Sequence, residues 1–167
     1  MLMYGAKDLI IIEYTDSDFQ TDIDSRKSTS RSVVTMNAGE IIWKSINQGC
    51  IVDSTMEAEY VGACEAAKES VWLRKFLTDL KVVSNMHLPI TLYCDNSGAV
   101  ANSKEPRSHE RGKHIEHKDH LIREIVQRGD VIVTQIASGH NIADPFTKSL
   151  TAKLFEGHLV NLGLRLM

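Results

Sequence analysis

An α/β layer fold is what this sequence predicts, with a mixed sheet whose later strands run parallel. The order of its segments predicts it. Three strand-like runs come in succession, a long stretch with helical spacing follows, and strand and helix then alternate. The length of 167 residues fits one domain with a real core, and no repeat, low-complexity tract or linker interrupts it.

Each element has its own signal. The first strand is expected over 9–16, an apolar run closed by Asp16, which shares side-chain parity with Ile10, Ile12 and Tyr14. Strands over 31–37 and 40–45 flank Asn37-Ala-Gly39, a turn signal that makes a hairpin. A helix is expected over 55–80, where Tyr60, Ala63, Cys64, Ala67 and Val71, then Leu73, Phe76, Leu77 and Leu80, recur at helical spacing. A strand over 90–94 leads into a short helix over 96–103 that stops before Pro106, and 104–112 reads as an exposed basic loop. A helix over 113–128 ends at Gly129, a C-terminal cap. The last strand is expected over 131–136, and two short helices near 142–149 and 152–162 finish the chain.

Composition narrows the function classes. Apolar residues make up 43% and charged residues 25%, an ordinary globular balance. No apolar run reaches the ~20 residues of a membrane span, and the N-terminus lacks a signal-peptide pattern. Cys50, Cys64 and Cys94 are odd in number and form no C-x-x-C pair, so they read as free thiols in a reducing compartment. The net charge of −3 argues against a generic nucleic-acid binder, but its distribution is uneven. Residues 1–60 carry ten Asp/Glu and five Lys/Arg, whereas 104–128 carry seven Lys/Arg, five acids and four histidines. An acidic centre with a basic segment elsewhere suits an enzyme that holds metal in one place and a polyanion in another. A solvated, charged helix face is the plainer alternative.

The acids that matter are Asp16, Glu59, Asp95 and Asp144, each at a strand end or a helix start. Carboxylates gathered at one sheet edge repel one another unless a multivalent cation neutralises them, and hard oxygen donors suit Mg²⁺. Local chemistry separates neighbours. Ser54-Thr-Met-Glu57 is a capping box, which gives Glu57 a structural task, with Ser54 as cap and Glu57 reaching back to the cap's own N–H. Glu59 shares a helical face with Ala63, Ala66, Ser70, Leu73 and Leu77. Asp16 is preferred over Asp18, which lies further out before the turn-like Asp22-Ile-Asp24-Ser25. Asp95 and Asp144 are each equally well placed to cap a helix. His114, His117 and His120 recur every three residues, a spacing that does not favour a transition-metal site.

Together the motifs Tyr14-Thr-Asp-Ser-Asp-Phe19, Asp24-Ser-Arg-Lys-Ser-Thr29, Ser54-Thr-Met-Glu-Ala-Glu-Tyr60, Ala66-Ala-Lys-Glu69 with Trp72-Leu-Arg74, Tyr93-Cys-Asp-Asn96, Lys113-His-Ile115 with His120-Leu-Ile-Arg-Glu124, and Ile142-Ala-Asp-Pro-Phe-Thr-Lys148 stand in a fixed order. In that order they resemble the ribonuclease H domain of copia-type long-terminal-repeat retrotransposon polyproteins, most of all plant ones, over nearly the whole chain. The resemblance implies an RNase H-like fold, a five-stranded mixed sheet flanked by helices on both faces, as a single domain over 1–167 in the C-terminal part of a polyprotein. It implies hydrolysis of the RNA strand of an RNA/DNA hybrid during reverse transcription, with two Mg²⁺ ions (or Mn²⁺ in their place), leaving 5′-phosphate and 3′-hydroxyl ends. The family's four metal-binding acids fall on Asp16, Glu59, Asp95 and Asp144.

For hybrid binding the expected residues are Asn96, Ser97, Arg107, Arg111, Lys113, His114 and His140, the last four positions before Asp144. Capping of the following helix is the rival role for Asn96 and Ser97. The expected partner is an adjacent reverse transcriptase domain; the expected state is a monomer, with no membrane contact. The expected location is the cytoplasm, inside a virus-like particle, or the nucleus, and not a secretory compartment. Two rivals remain: a catalytically retired module that binds hybrid or protein, and a nuclease or transposase of the same fold acting on duplex DNA.

Overall fold

The computed structural model describes residues 10–37, 39–81, 88–104, 113–144 and 156–157. Among them a five-stranded sheet runs in the order β3-β2-β1-β4-β5. Strands β1 (Ile11–Asp22), β2 (Lys27–Met36) and β3 (Gly39–Asn47) form an antiparallel meander, whereas β4 (Ile90–Cys94) and β5 (Val131–Gln135) extend it in parallel from β1. The helices are α1 (Thr55–Asp79), α2 (Ser97–Lys104) and α3 (Lys113–Gln127).

β1 differs from expectation in length and facing. It continues past Asp16 to Asp22, and β2 starts at Lys27, because the polar ends pair with each other: Ser17 with Ser30 and Asp18 with Thr29. Such a ladder carries no apolar alternation. Asp22 then closes the hairpin, its carboxylate accepting from the N–H groups of Asp24 and Ser25. The buried face of β1 is the odd one, Ile11, Glu13 and Thr15, while Ile10 is 53% exposed. Asp16 therefore lies on the face opposite α1, with Tyr14. Its pairing with β4 ends just before it, at Thr15 opposite Cys94.

α1 lies on the odd face and carries the main core. Tyr60, Ala63, Cys64, Ala67 and Leu73 pack with Leu92, Ile122, Ile125, Val131 and Val133. Phe76 and Leu80, which share the helical spacing of Leu73 and Leu77, are 46% and 53% exposed, because with Trp72 they form an i, i+4, i+8 stripe on the outer side of α1 while Leu73 and Leu77 take the core side; Phe76 stacks on Trp72. α3 ends in a Schellman arrangement, with Gly129 at φ +74° and the Asp130 N–H returning to Ile125 O at 3.1 Å. Arg74 of α1 pairs with Asp130, anchoring the far end of the helix to the start of β5.

The three described helices share one face of the sheet. On the other, Ile142 and Ala143 pack against Val33 and Tyr14. The helix expected over 142–149 begins as turns through Ala143; residues 145–150, most of the helix expected over 152–162, and the loop 105–112 lie outside the described residues.

Candidate metal centre

The carboxylates meet where the parallel pairing of β1 and β4 stops. Glu59 rises from the second turn of α1, and its Oε1 accepts the Ser17 backbone N–H at 3.0 Å. Its Oε2 lies 3.9 Å from Cys94 Sγ, at the end of β4. Asp95 is the next residue. The donor atoms of Glu59, Cys94 and Asp95 all fall within 4.8 Å of one another, a group able to hold a metal ion. Asp16 and Asp144 are not members of that tight group.

Asp16 is nevertheless close in charge. Burial pushes the Cys94 thiol well up, and the negative charges of Glu59, Asp95 and Asp16 push it further. Asp16 itself is 4% exposed and Glu59 6%, so both carboxylates sit in a site of restricted water. Asp144 comes in from the opposite face. Asn141 Nδ2 donates to Thr15 O at 2.9 Å, and the Asp144 N–H reaches Asn141 O at 3.2 Å. The turn carrying Asp144 is thereby pinned beside the residue that precedes Asp16.

Neighbouring residues differ in their local contacts. Asp18 Oδ2 pairs with Arg31 at 3.1 Å, which gives it a structural partner away from Glu59. Ser54 Oγ accepts the Glu57 N–H at 3.2 Å, and Glu57 Oε2 accepts from Asp53 N at 2.9 Å, one residue earlier than the cap's own N–H. Glu59 is left for the sheet edge. Asn96 Oδ1 caps α2 through the Ala99 N–H at 3.0 Å, so the capping role falls on Asn96 and not on Asp95. Ser97 is the first residue of α2, and His140 ends an exposed 3-10 turn over Ser138–His140.

Arg107 and Arg111 lie outside the described residues, as do the side chains of Lys113 and His114, although the backbone of the latter two opens α3. Three residues escaped the sequence: Cys94 as a member of the donor group, Asn141 as the pin, and Gln48, which bonds the carbonyl of Ala58, the residue before Glu59. Cys94 had a visible signal, since a residue adjoining a strand-end Asp shares its neighbourhood. The other two are isolated amides with none.

The donor set fits a hard divalent cation. Carboxylate oxygens are the ligands such ions take, and a single soft Cys94 sulfur among them does not make a transition-metal pattern.

The chain matches no family model. It is 39% identical over 155 residues, 93% of its length, to the retrovirus-related Pol polyprotein from transposon TNT 1-94 of Nicotiana tabacum. It is 33% identical over 151 residues to the corresponding polyprotein from transposon RE1 of Arabidopsis thaliana. It spans 11% and 10% of the length of these relatives. Among solved structures it superposes on the N-terminal RNase H domain of rv2228c from Mycobacterium tuberculosis with a TM-score of 0.57, at 11% identity, covering 92% of this chain and 98% of that one. LC11-RNase H1 in complex with an RNA/DNA hybrid gives 0.54 at 16% identity, covering 78% and 88%. The chain thus has the RNase H-like fold and is homologous to a segment of the retrovirus-related Pol polyproteins of plant transposons, in keeping with the copia-type family that its motifs resemble.

Proposed function

We propose that this chain is a metal-dependent ribonuclease H that cuts the RNA strand of RNA/DNA hybrids during retrotransposon reverse transcription, leaving 5′-phosphate and 3′-hydroxyl ends. The observation that carries the reading is the convergence of Glu59 and Asp95 from different elements within 4.8 Å, with a buried Asp16 whose charge also acts on Cys94. Relatives that are Pol polyproteins, and a neighbouring structure described as a complex with an RNA/DNA hybrid, support it.

Asp16, Glu59, Asp95 and Asp144 would hold two Mg²⁺ ions, or Mn²⁺ in their place. Their carboxylate oxygens would be the protein ligands of these ions. When bound, such ions supply a water of lowered pKa and neutralise charge on the leaving 3′ oxygen. The chain's own part is positional. The Ser17 N–H fixes one Glu59 oxygen, the Asn141 amide fixes the turn bearing Asp144, and burial of Asp16 and Glu59 limits competing water. Asn96 and Ser97, which follow Asp95 directly, and His140 would meet the sugar–phosphate backbone, with Arg107, Arg111, Lys113 and His114 gripping it further out. Recognition would be by shape and 2′-hydroxyls. The adjacent reverse transcriptase domain would deliver the hybrid to a monomeric domain, in the cytoplasm within a particle or in the nucleus.

Asp95→Asn tests the reading in a gel assay on hybrid, duplex RNA and duplex DNA with Mg²⁺ or EDTA. The expected result is hybrid-only, Mg²⁺-dependent cleavage by the wild type and none by the folded variant. Wild-type protein that binds hybrid without cutting it would establish the retired module instead.

A further inference from the structure

We infer that Gln48 is a positioning residue for Glu59, an inference that rests on the metal-centre reading above. Gln48 is 2% exposed and follows the last residue of β3. Its Nε2 donates to two acceptors at once, Ser30 Oγ at 2.7 Å and Ala58 O at 2.8 Å. Both amide protons are used, and the Ala58 carbonyl fixes which end of the amide is nitrogen, since an oxygen there would face another oxygen.

The two bonds reach Glu59 by separate routes. Ala58 is its immediate neighbour in α1. Ser30 Oγ accepts Ser17 Oγ at 3.2 Å, and the Ser17 N–H is the group that holds Glu59 Oε1. One side chain therefore fixes both the helix from which Glu59 projects and the strand on which its carboxylate rests.

The close approach this needs is written into Gly62, one turn further along α1. A Cβ at that position would collide with Ser17 Oγ and press on Ser30 Oγ at 3.2 Å and Thr15 Oγ1 at 3.3 Å. A side chain there forces the Ser17 hydroxyl to shift from its position against Ser30. Groups that orient a metal ligand from behind matter because a carboxylate free to swing loses part of its binding free energy to ordering. No other residue type with comparable length offers two N–H donors on a neutral head: Glu loses the donors, Met loses the polarity, and Asn falls one methylene short.

The test uses Gln48→Met, which keeps volume, and Gly62→Ala, which disturbs the Ser17–Ser30 link from the α1 side while leaving the Gln48 side chain itself in place. Val133→Ala serves as a control that lowers stability in the core away from the site. Two readouts are taken on the intact chain without substrate: the Ser17 amide resonance by NMR and Mn²⁺ affinity by calorimetry. Both site variants are expected to move the Ser17 amide and to weaken Mn²⁺ roughly tenfold, whereas the control changes neither at equal or greater loss of thermal stability. An unmoved Ser17 amide in Gln48→Met overturns the inference whatever the metal does, and so does an equal shift in the control. A moved amide in a protein whose wild type binds no Mn²⁺ leaves Gln48 in its positioning role and removes the metal-centre reading instead.

Discussion

Asn141 Nδ2 donates to the backbone oxygen of Thr15 at 2.9 Å, joining positions 126 residues apart in the chain. The bond is buried, and Asn141 Oδ1 also accepts the Ala143 N–H at 3.1 Å, so one amide both shapes the turn before Asp144 and attaches it to β1. Asn141→Ala leaves these backbone groups unsatisfied and is expected to cost about 2–3 kcal/mol. Cleavage should fall roughly tenfold or more as Asp144 drifts. Urea unfolding and hybrid cleavage on the same preparation check the two effects, and an unchanged cleavage rate would separate Asp144 from the chemistry.

Glu13 sits at the centre of the sheet, fully buried, with its carboxyl against Ser70 Oγ. Burial raises its pKa well above the usual carboxylate range, an effect the Ser70 hydrogen bond only partly offsets. The folded state thus keeps a proton that the unfolded chain releases. Its contribution to stability is fully present below the unfolded carboxyl pKa of about 4.3 and is lost as pH rises toward the folded value, by up to about 1.4 kcal/mol per pH unit. Glu13→Gln keeps the shape without the ionisation. It is expected to be more stable than the wild type at pH 8 and to show a flatter dependence between pH 5 and 8 in urea melts. Parallel wild-type and variant curves would mean that Glu13 titrates normally.

Asp16 and Asp18 make a matched pair of substitutions. Asp18→Asn removes a partly exposed ion pair with Arg31, and should cost about 0.5 kcal/mol while cleavage stays near the wild-type rate. Asp16→Asn should abolish cleavage in a folded protein. Reversal of the two in the same assay would move the metal site along β1.

Much of this architecture was legible because apolar spacing reports burial. The long α1, the short β4 and β5, and the acids at their ends follow from patterns in which a core residue leaves a trace. The extension of β1 past Asp16 was not legible, since Ser17 and Asp18 are held by cross-strand partners and not by apolar packing. The facing of β1 was misread for a related reason. Glu13, a charged residue on paper, occupies a core position, while Ile10 next to the strand is half exposed. Gln48 and Asn141 were invisible because an amide's role depends on which backbone oxygen it meets, and periodicity carries no such information.

Hybrid affinity should fall steeply with salt. The described centre is acidic, so attraction to a polyanion must come from elsewhere, and the basic stretch with Arg107, Arg111 and Lys113 is where positive charge concentrates. Each phosphate neutralised by such a side chain releases a counterion and adds about −0.9 to the slope of log affinity against log salt. The double variant Arg107→Gln with Arg111→Gln is expected to flatten that slope by about two contacts' worth, roughly 1.8, and to weaken binding alike for hybrids of any sequence. Fluorescence anisotropy across a salt series, done in EDTA so that no cutting occurs, measures both. An unchanged slope would show that these arginines do not touch the phosphates, and would return the stretch to a solvated face.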